Sequence, residues 1–174
     1  MNTTANKITV FRIVMIPVFL VLAYMGHLKW AFVVYIIACL SDIADGYIAR
    51  HYDQVTSFGK FADPLADKML VLSAMCIMVE RGQMPGWVVA VVLCREFAVS
   101  GLRLVAVEQN RVIAAAWSGK LKTGCTMVGL GAMLVFANVD LVNIICSALI
   151  LITTVFSGVQ YFWVNIDVFK KEKL

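Results

Sequence analysis

The sequence predicts an all-α, polytopic membrane domain: six transmembrane helices, with residues 1–174 as one domain, around a polar cavity facing the cytoplasm. Three observations predict it. The chain is 61% hydrophobic and only 15% charged, with a mean hydropathy of +0.86, well beyond the range of soluble domains. It divides into six apolar stretches near 8–26, 30–50, 61–80, 85–107, 121–138 and 141–165, each near the roughly 20 residues that a spanning helix needs. Its basic residues alternate between the ends of those stretches in one sense. Lys7, Arg50, Lys60, Arg111, Lys120, Lys122, Lys170, Lys171 and Lys173 fall at one set of ends, against Lys29 and Arg81 at the other. The positive-inside rule then puts both termini in the cytoplasm.

The first stretch contains Arg12 and Pro17 and lacks a small-residue cleavage site, so it reads as a retained helix rather than a signal peptide. Gly26 marks the first outer turn, Gly82 and Pro85 the second, and Asn138 with Asp140 the third. The longer connections, 53–59 and 109–119, lie on the cytoplasmic side, which directs the site there. Cys39, Cys76, Cys94, Cys125 and Cys146 all sit in apolar stretches without metal-ligand spacing and read as buried free thiols. The net charge of +4 forms a cytoplasmic collar suited to membrane lipids and anionic substrates. No separate basic domain points to nucleic acid.

The second and third stretches carry the chemistry. Ser41-Asp42-Ile43-Ala44-Asp45-Gly46-Tyr47-Ile48-Ala49-Arg50 is followed, after a short loop, by Gly59-Lys60-Phe61-Ala62-Asp63-Pro64-Leu65-Ala66-Asp67-Lys68. An ionisable group at membrane depth costs roughly 2.5–3.5 kcal/mol on insertion scales, so four aspartates together require a compensating cation. At about 100° per residue, Asp42, Asp45, Gly46 and Ala49 share one helical face, and Asp63 and Asp67 share another. Hard oxygen ligands without histidine or cysteine suit Mg²⁺ or Mn²⁺, and four of them suit two ions. Gly46 and Ala49 leave a notch where a nucleotide diphosphate can approach the backbone, Gly59 extends it, and the Arg50 guanidinium suits a phosphate. The plainer alternatives are an Asp42–Arg50 pair, an Asp67–Lys68 pair, and small residues that only pack helices.

These residues resemble the signature of the CDP-alcohol phosphatidyltransferases, D-x2-D-G-x2-A-R-x8-G-x3-D-x3-D, and match it at Asp42, Asp45, Gly46, Ala49, Arg50, Gly59, Asp63 and Asp67. The resemblance implies attack by an alcohol hydroxyl on the β-phosphorus of CDP-diacylglycerol, with release of CMP. It implies divalent metal held by Asp42, Asp45, Asp63 and Asp67, and CDP bound at Asp45, Gly46, Ala49, Arg50 and Gly59. It also makes Asp67 the general base and the protein a homodimer. The opening segment Asn6–Arg12 looks like the family's own and is expected to cover the nucleotide pocket. His27, in an outer turn, and His51, at a helix end, are not expected to be catalytic.

Arg95-Glu96-Phe97-Ala98-Val99-Ser100-Gly101-Leu102-Arg103 and Ser118-Gly119-Lys120-Leu121-Lys122-Thr123 resemble the members of that family whose acceptor is glycerol 3-phosphate. Arg95, Arg103, Lys120 and Lys122 are the candidates for its phosphate, and Glu96 and Arg103, seven residues apart, nearly align and could pair. Inositol phosphate, serine, choline or a second phosphatidylglycerol are rival acceptors. Outside the family, an intramembrane prenyltransferase or a divalent-cation transporter could also use such aspartates.

Overall fold

The computed structural model describes residues 6–42, 59, 62–109, 111, 113 and 116–167 in full, and the backbone alone of 4–5, 43–51, 57–58 and 60–61. It contains six helices and, among the described residues, no strand: α1 (Thr4–Tyr24), α2 (Leu28–His51), α3 (Ser57–Glu80), α4 (Gly86–Glu108), α5 (Trp117–Val135) and α6 (Asp140–Val164). Each falls on one predicted stretch.

Among the described residues, two helices are long and apolar enough by themselves to cross a membrane, Asn6–Tyr24 and Asp140–Val164. α2 is described in full only over residues 28–42, and α3, α4 and α5 are less uniformly apolar for a chemical reason. Asp63, Asp67 and Lys68 lie on α3, Arg95, Glu96 and Arg103 on α4, and Lys120 and Lys122 on α5. The residues that dilute the hydropathy are those expected to form the site.

α1 packs mainly on α2 and α3, α5 on α6 and α2, and α4 on α6. Phe19, Tyr35, Leu70, Met75, Met78, Leu130, Met133 and Ile150 are fully buried at their junctions. α5 and α6 approach closely because position 129 is glycine: a Cβ there would stand 3.3 Å from Ile150 Cδ1. Large apolar side chains such as Val14, Val21, Leu141, Ile152 and Trp163 point outward from α1 and α6, as on helices solvated by lipid rather than water.

The turns after α1 and α3 follow the residues predicted to mark them. Gly26 and Gly82 adopt φ of +80° and +70°, the left-handed conformation that closes a helix. The His27 N–H then reaches back to the Leu22 carbonyl, and the Gln83 N–H to that of Met78. The start of α3 differs from the predicted stretch 61–80. α3 begins at Ser57 rather than near Phe61, which puts the proline inside the helix, where it removes an intrahelical donor.

Buried Gln83 ties the turns after α3 and α5 together, its Nε2 donating to the Ala137 carbonyl at 2.7 Å. Gln83→Leu removes that donor from a part-buried carbonyl that Asn143 Nδ2 also reaches, at 3.3 Å. It is expected to cost about 1 kcal/mol, read as a lower thermal midpoint in detergent with unchanged substrate KM values.

Candidate active site

α1 supplies a polar face that the sequence pattern did not reveal. Asn6, Thr9 and Arg12 recur every three residues and are all buried, Arg12 completely. Arg12 Nη1 lies 2.8 Å from Asp42 Oδ1, and Arg12 Nε donates to Ser41 Oγ at 3.3 Å. Thr9 Oγ1 donates to Asp63 Oδ1 at 2.5 Å. The first helix therefore holds the leading aspartate of α2 and the leading aspartate of α3. Among the described residues the partner of Asp42 is Arg12, thirty residues away; the Asp42–Arg50 alternative lies outside them. The clue in the sequence was an arginine inside an apolar run, which needs a counter-ion.

Asp67 stands one turn beyond Asp63 on α3. Its Oδ1 is buried and has no hydrogen-bond partner among the described residues. Lys68 does not supply one, because its Nζ donates to Ser100 Oγ at 2.8 Å and lies 3.8 Å from Glu96 Oε2. The charges acting on Asp67 are those of Asp42, Arg12, Lys122 and Glu96.

Gly59 is buried on α3, one turn before Asp63. Asp45, Gly46, Ala49 and Arg50 lie on the last turns of α2, and their side chains, like that of His51, fall outside the described residues. Among the described residues no group of three His, Cys, Asp or Glu side chains could hold a metal ion. Two features nevertheless fit a hard cation. Asp42 and Asp63 each use Oδ1 for their contact with α1, and the buried Asp67 Oδ1 lacks a donor. A carboxylate oxygen left without a donor is costly unless a cation satisfies it.

The basic candidates assemble on the other side of Asp67. Asp67, Lys68, Arg95, Glu96, Ser100, Arg103, Lys120, Lys122 and Tyr161 line a cavity of about 620 Å³. All four residues predicted to hold an acceptor phosphate thus share one space with the predicted base.

The expected Glu96–Arg103 pair does not form. Glu96 Oε1 instead lies 2.6 Å from Lys122 Nζ and 3.2 Å from Arg95 Nη1. Arg103 turns to α6, where its Nε donates to the Tyr161 hydroxyl at 2.8 Å and its Cζ lies 5.4 Å above the ring. Seven-residue spacing aligned the two residues along α4, but packing against α5 and α6 offered each a better partner. Ser157 Oγ accepts from Arg95 Nη2 at 2.5 Å. The Lys120 side chain makes no hydrogen bond or ion pair among the described residues and lines the cavity. His27 is exposed in its turn, away from this cavity; the five cysteines are free thiols, but only Cys146 is buried, Cys76 and Cys94 lying exposed on helix faces.

Comparison with known proteins identifies the family. Residues 2–160 match the model of the family described as CDP-alcohol phosphatidyltransferase. A CDP-diacylglycerol–glycerol-3-phosphate 3-phosphatidyltransferase of Bacillus subtilis (strain 168) is 39% identical, over 95% of this chain and 96% of its own length. The protein of the same name from Haemophilus influenzae is 34% identical over 88% of each chain. A probable phosphatidylglycerophosphate synthase of Mycobacterium tuberculosis (strain H37Rv) is 36% identical over 90% of this chain and 78% of its own. With the family's signature residues present and the match running from residue 2 to residue 160, this chain belongs to the CDP-alcohol phosphatidyltransferase family.

Proposed function

We propose that the chain transfers the phosphatidyl group of CDP-diacylglycerol to sn-glycerol 3-phosphate, producing phosphatidylglycerophosphate and CMP. The observation that carries this reading is the cavity in which Asp67 faces Arg95, Arg103, Lys120 and Lys122. A carboxylate beside a cluster of cations suits an acceptor that presents a hydroxyl at one end and a phosphate dianion at the other. The names of the relatives support the same substrates.

In the step proposed, Asp67 takes the proton of the acceptor hydroxyl as that oxygen bonds to the β-phosphorus. The bond from the β-phosphorus to the oxygen of CMP breaks, and CMP leaves with that electron pair. Arg103 and Lys120, which keep donors directed to no protein acceptor among the described residues, hold the acceptor's phosphate, with Arg95 and Lys122 beside them. Gly46, Ala49, Arg50 and Gly59, with Asp45, form the CDP seat. Arg12 and Thr9 keep Asp42 and Asp63 in place.

Asp42, Asp45, Asp63 and Asp67 would hold Mg²⁺ or Mn²⁺, as two ions, and bound metal would neutralise the pyrophosphate so that CMP becomes an acceptable leaving group. The six helices span the membrane with both termini and the cavity on the cytoplasmic side, in keeping with the basic residues near that end. The protein works as a homodimer among membrane lipids.

The test is CMP release by purified protein with CDP-diacylglycerol and Mg²⁺, comparing glycerol 3-phosphate, inositol 1-phosphate, serine and no acceptor. Release is expected with glycerol 3-phosphate alone and is lost when EDTA removes divalent metal. Release with a different acceptor would overturn the substrate, and metal flux without CMP would point to a transporter.

A further inference from the structure

Ser157 and Tyr161 stand four residues apart on α6 and so share a face. Each is bonded to a different arginine of α4. Ser157 Oγ accepts from Arg95 Nη2 at 2.5 Å, and the Tyr161 hydroxyl accepts from Arg103 Nε at 2.8 Å. Both are buried, with 0% and 2% exposure. Gly158, between them, gives Arg95 its room: a Cβ there would stand 3.2 Å from Arg95 Cγ. One turn of α6 is therefore shaped to seat two guanidinium groups from α4.

The two arginines are not left equivalent. Arg95 gives Nη1 to Glu96 and Nη2 to Ser157, so both terminal nitrogens of its fork are engaged by the protein, while its Nε is buried without a partner among the described residues. Arg103 gives up only Nε. Its two terminal nitrogens make no hydrogen bond or ion pair among the described residues, and it lines the cavity shared with Asp67. A guanidinium held at Nε and stacked on a ring cannot swing about its long stem, and it presents both terminal nitrogens together to a phosphate.

We propose that Tyr161, supported by Ser157, is a positioning residue that makes Arg103 the reader of the acceptor's phosphate, so that acceptor specificity is set from α6. The proposal rests on the reading of the cavity as a phosphorylated-acceptor site. Arg95 acts as a fixed wall charge, and Arg103 as the bidentate contact.

Tyr161→Phe keeps the ring and removes only the hydroxyl. Steady-state kinetics with each substrate varied should show the KM for glycerol 3-phosphate raised about tenfold, the size expected for loss of one charge-assisted hydrogen bond. Turnover and the KM for CDP-diacylglycerol should stay within about twofold, as for lost acceptor binding. In an Arg103→Lys background, which has no Nε–H to hold, Tyr161→Phe should add nothing. An equal rise in both KM values, a loss of turnover alone, or multiplying effects in the double variant would overturn the proposal.

Should Tyr161→Phe fail to fold, the wild-type enzyme decides the matter. With phenylglyoxal and peptide mapping, glycerol 3-phosphate should slow modification of Arg103 and leave Arg95 unchanged; no protection of Arg103, or equal protection of both, overturns it. A wild-type enzyme that releases CMP with serine but not with glycerol 3-phosphate sinks the acceptor reading itself. Unaltered kinetics in Tyr161→Phe sinks only the role given to α6.

Discussion

Asp67→Asn is expected to lower CMP release about 10³-fold, within the range for loss of a positioned general base, while leaving the protein folded. Asn matches Asp in shape, so helix packing is unaffected, but its amide cannot take the hydroxyl proton and is a poorer ligand for a hard cation. The two effects fall on the same atoms. The structure also predicts the direction of the stability change. Asp67 Oδ1 is buried without a donor, among the charges of Asp42, Arg12, Lys122 and Glu96. Replacing that carboxylate by a neutral amide should hold or raise the thermal midpoint in metal-free buffer, since functional groups of this kind are kept at a cost in stability. Activity within tenfold of wild type, in folded protein, would remove Asp67 from the proton transfer.

Arg12→Met should instead damage both fold and activity. The Arg12 side chain is 0% exposed, and its Nη1 lies 2.8 Å from Asp42 Oδ1. Breaking a buried pair by removing one partner costs roughly 3–5 kcal/mol, because the other charge is left uncompensated. Asp42 is 34% exposed, so water screens part of that loss and the lower end, about 3 kcal/mol, is expected. Thermal unfolding in detergent gives the stability, and CMP release the activity. The double variant Arg12→Met with Asp42→Asn removes both charges and should recover much of the midpoint. It should not recover turnover, because Asp42 is then lost from the set of carboxylates proposed to bind metal. A double variant no more stable than Arg12→Met would mean that Asp42 is not the partner that matters for stability.

Those two residues show how unevenly the site could be read from sequence. Asp67 was legible because it belongs to a local pattern: Asp63 and Asp67 lie one turn apart, and the four aspartates carried on the two apolar stretches are too costly to bury unless a cation balances them. Arg12 was visible as a charge inside an apolar run and as the end of an opening segment that looks like the family's own, but not as the partner of an aspartate. Its partner Asp42 is thirty positions away on another helix, and periodicity along α1 carries no information about which helix will face it. The acceptor side was intermediate. Arg95, Arg103, Lys120 and Lys122 could be named as a basic set, and the cavity does bring them together. The pairing among them was misread, since Glu96 and Arg103 align on α4 but are drawn apart by Lys122 on α5 and Tyr161 on α6.

The sequence by itself determined the all-helical class, the number of helices, their turns at Gly26 and Gly82, and the carboxylate pattern that marks the family. All of these depend on residues near one another in the chain: apolar run length, the left-handed freedom of glycine, and helical spacing within one or two turns. Only the tertiary structure decided that α1 holds Asp42 and Asp63 through Arg12 and Thr9, that Glu96 gathers Arg95 and Lys122, and that Ser157 and Tyr161 seat the two arginines. Those choices were settled by which helix packs on which, because a buried charge or donor must take its partner from whatever element packing brings within hydrogen-bond distance.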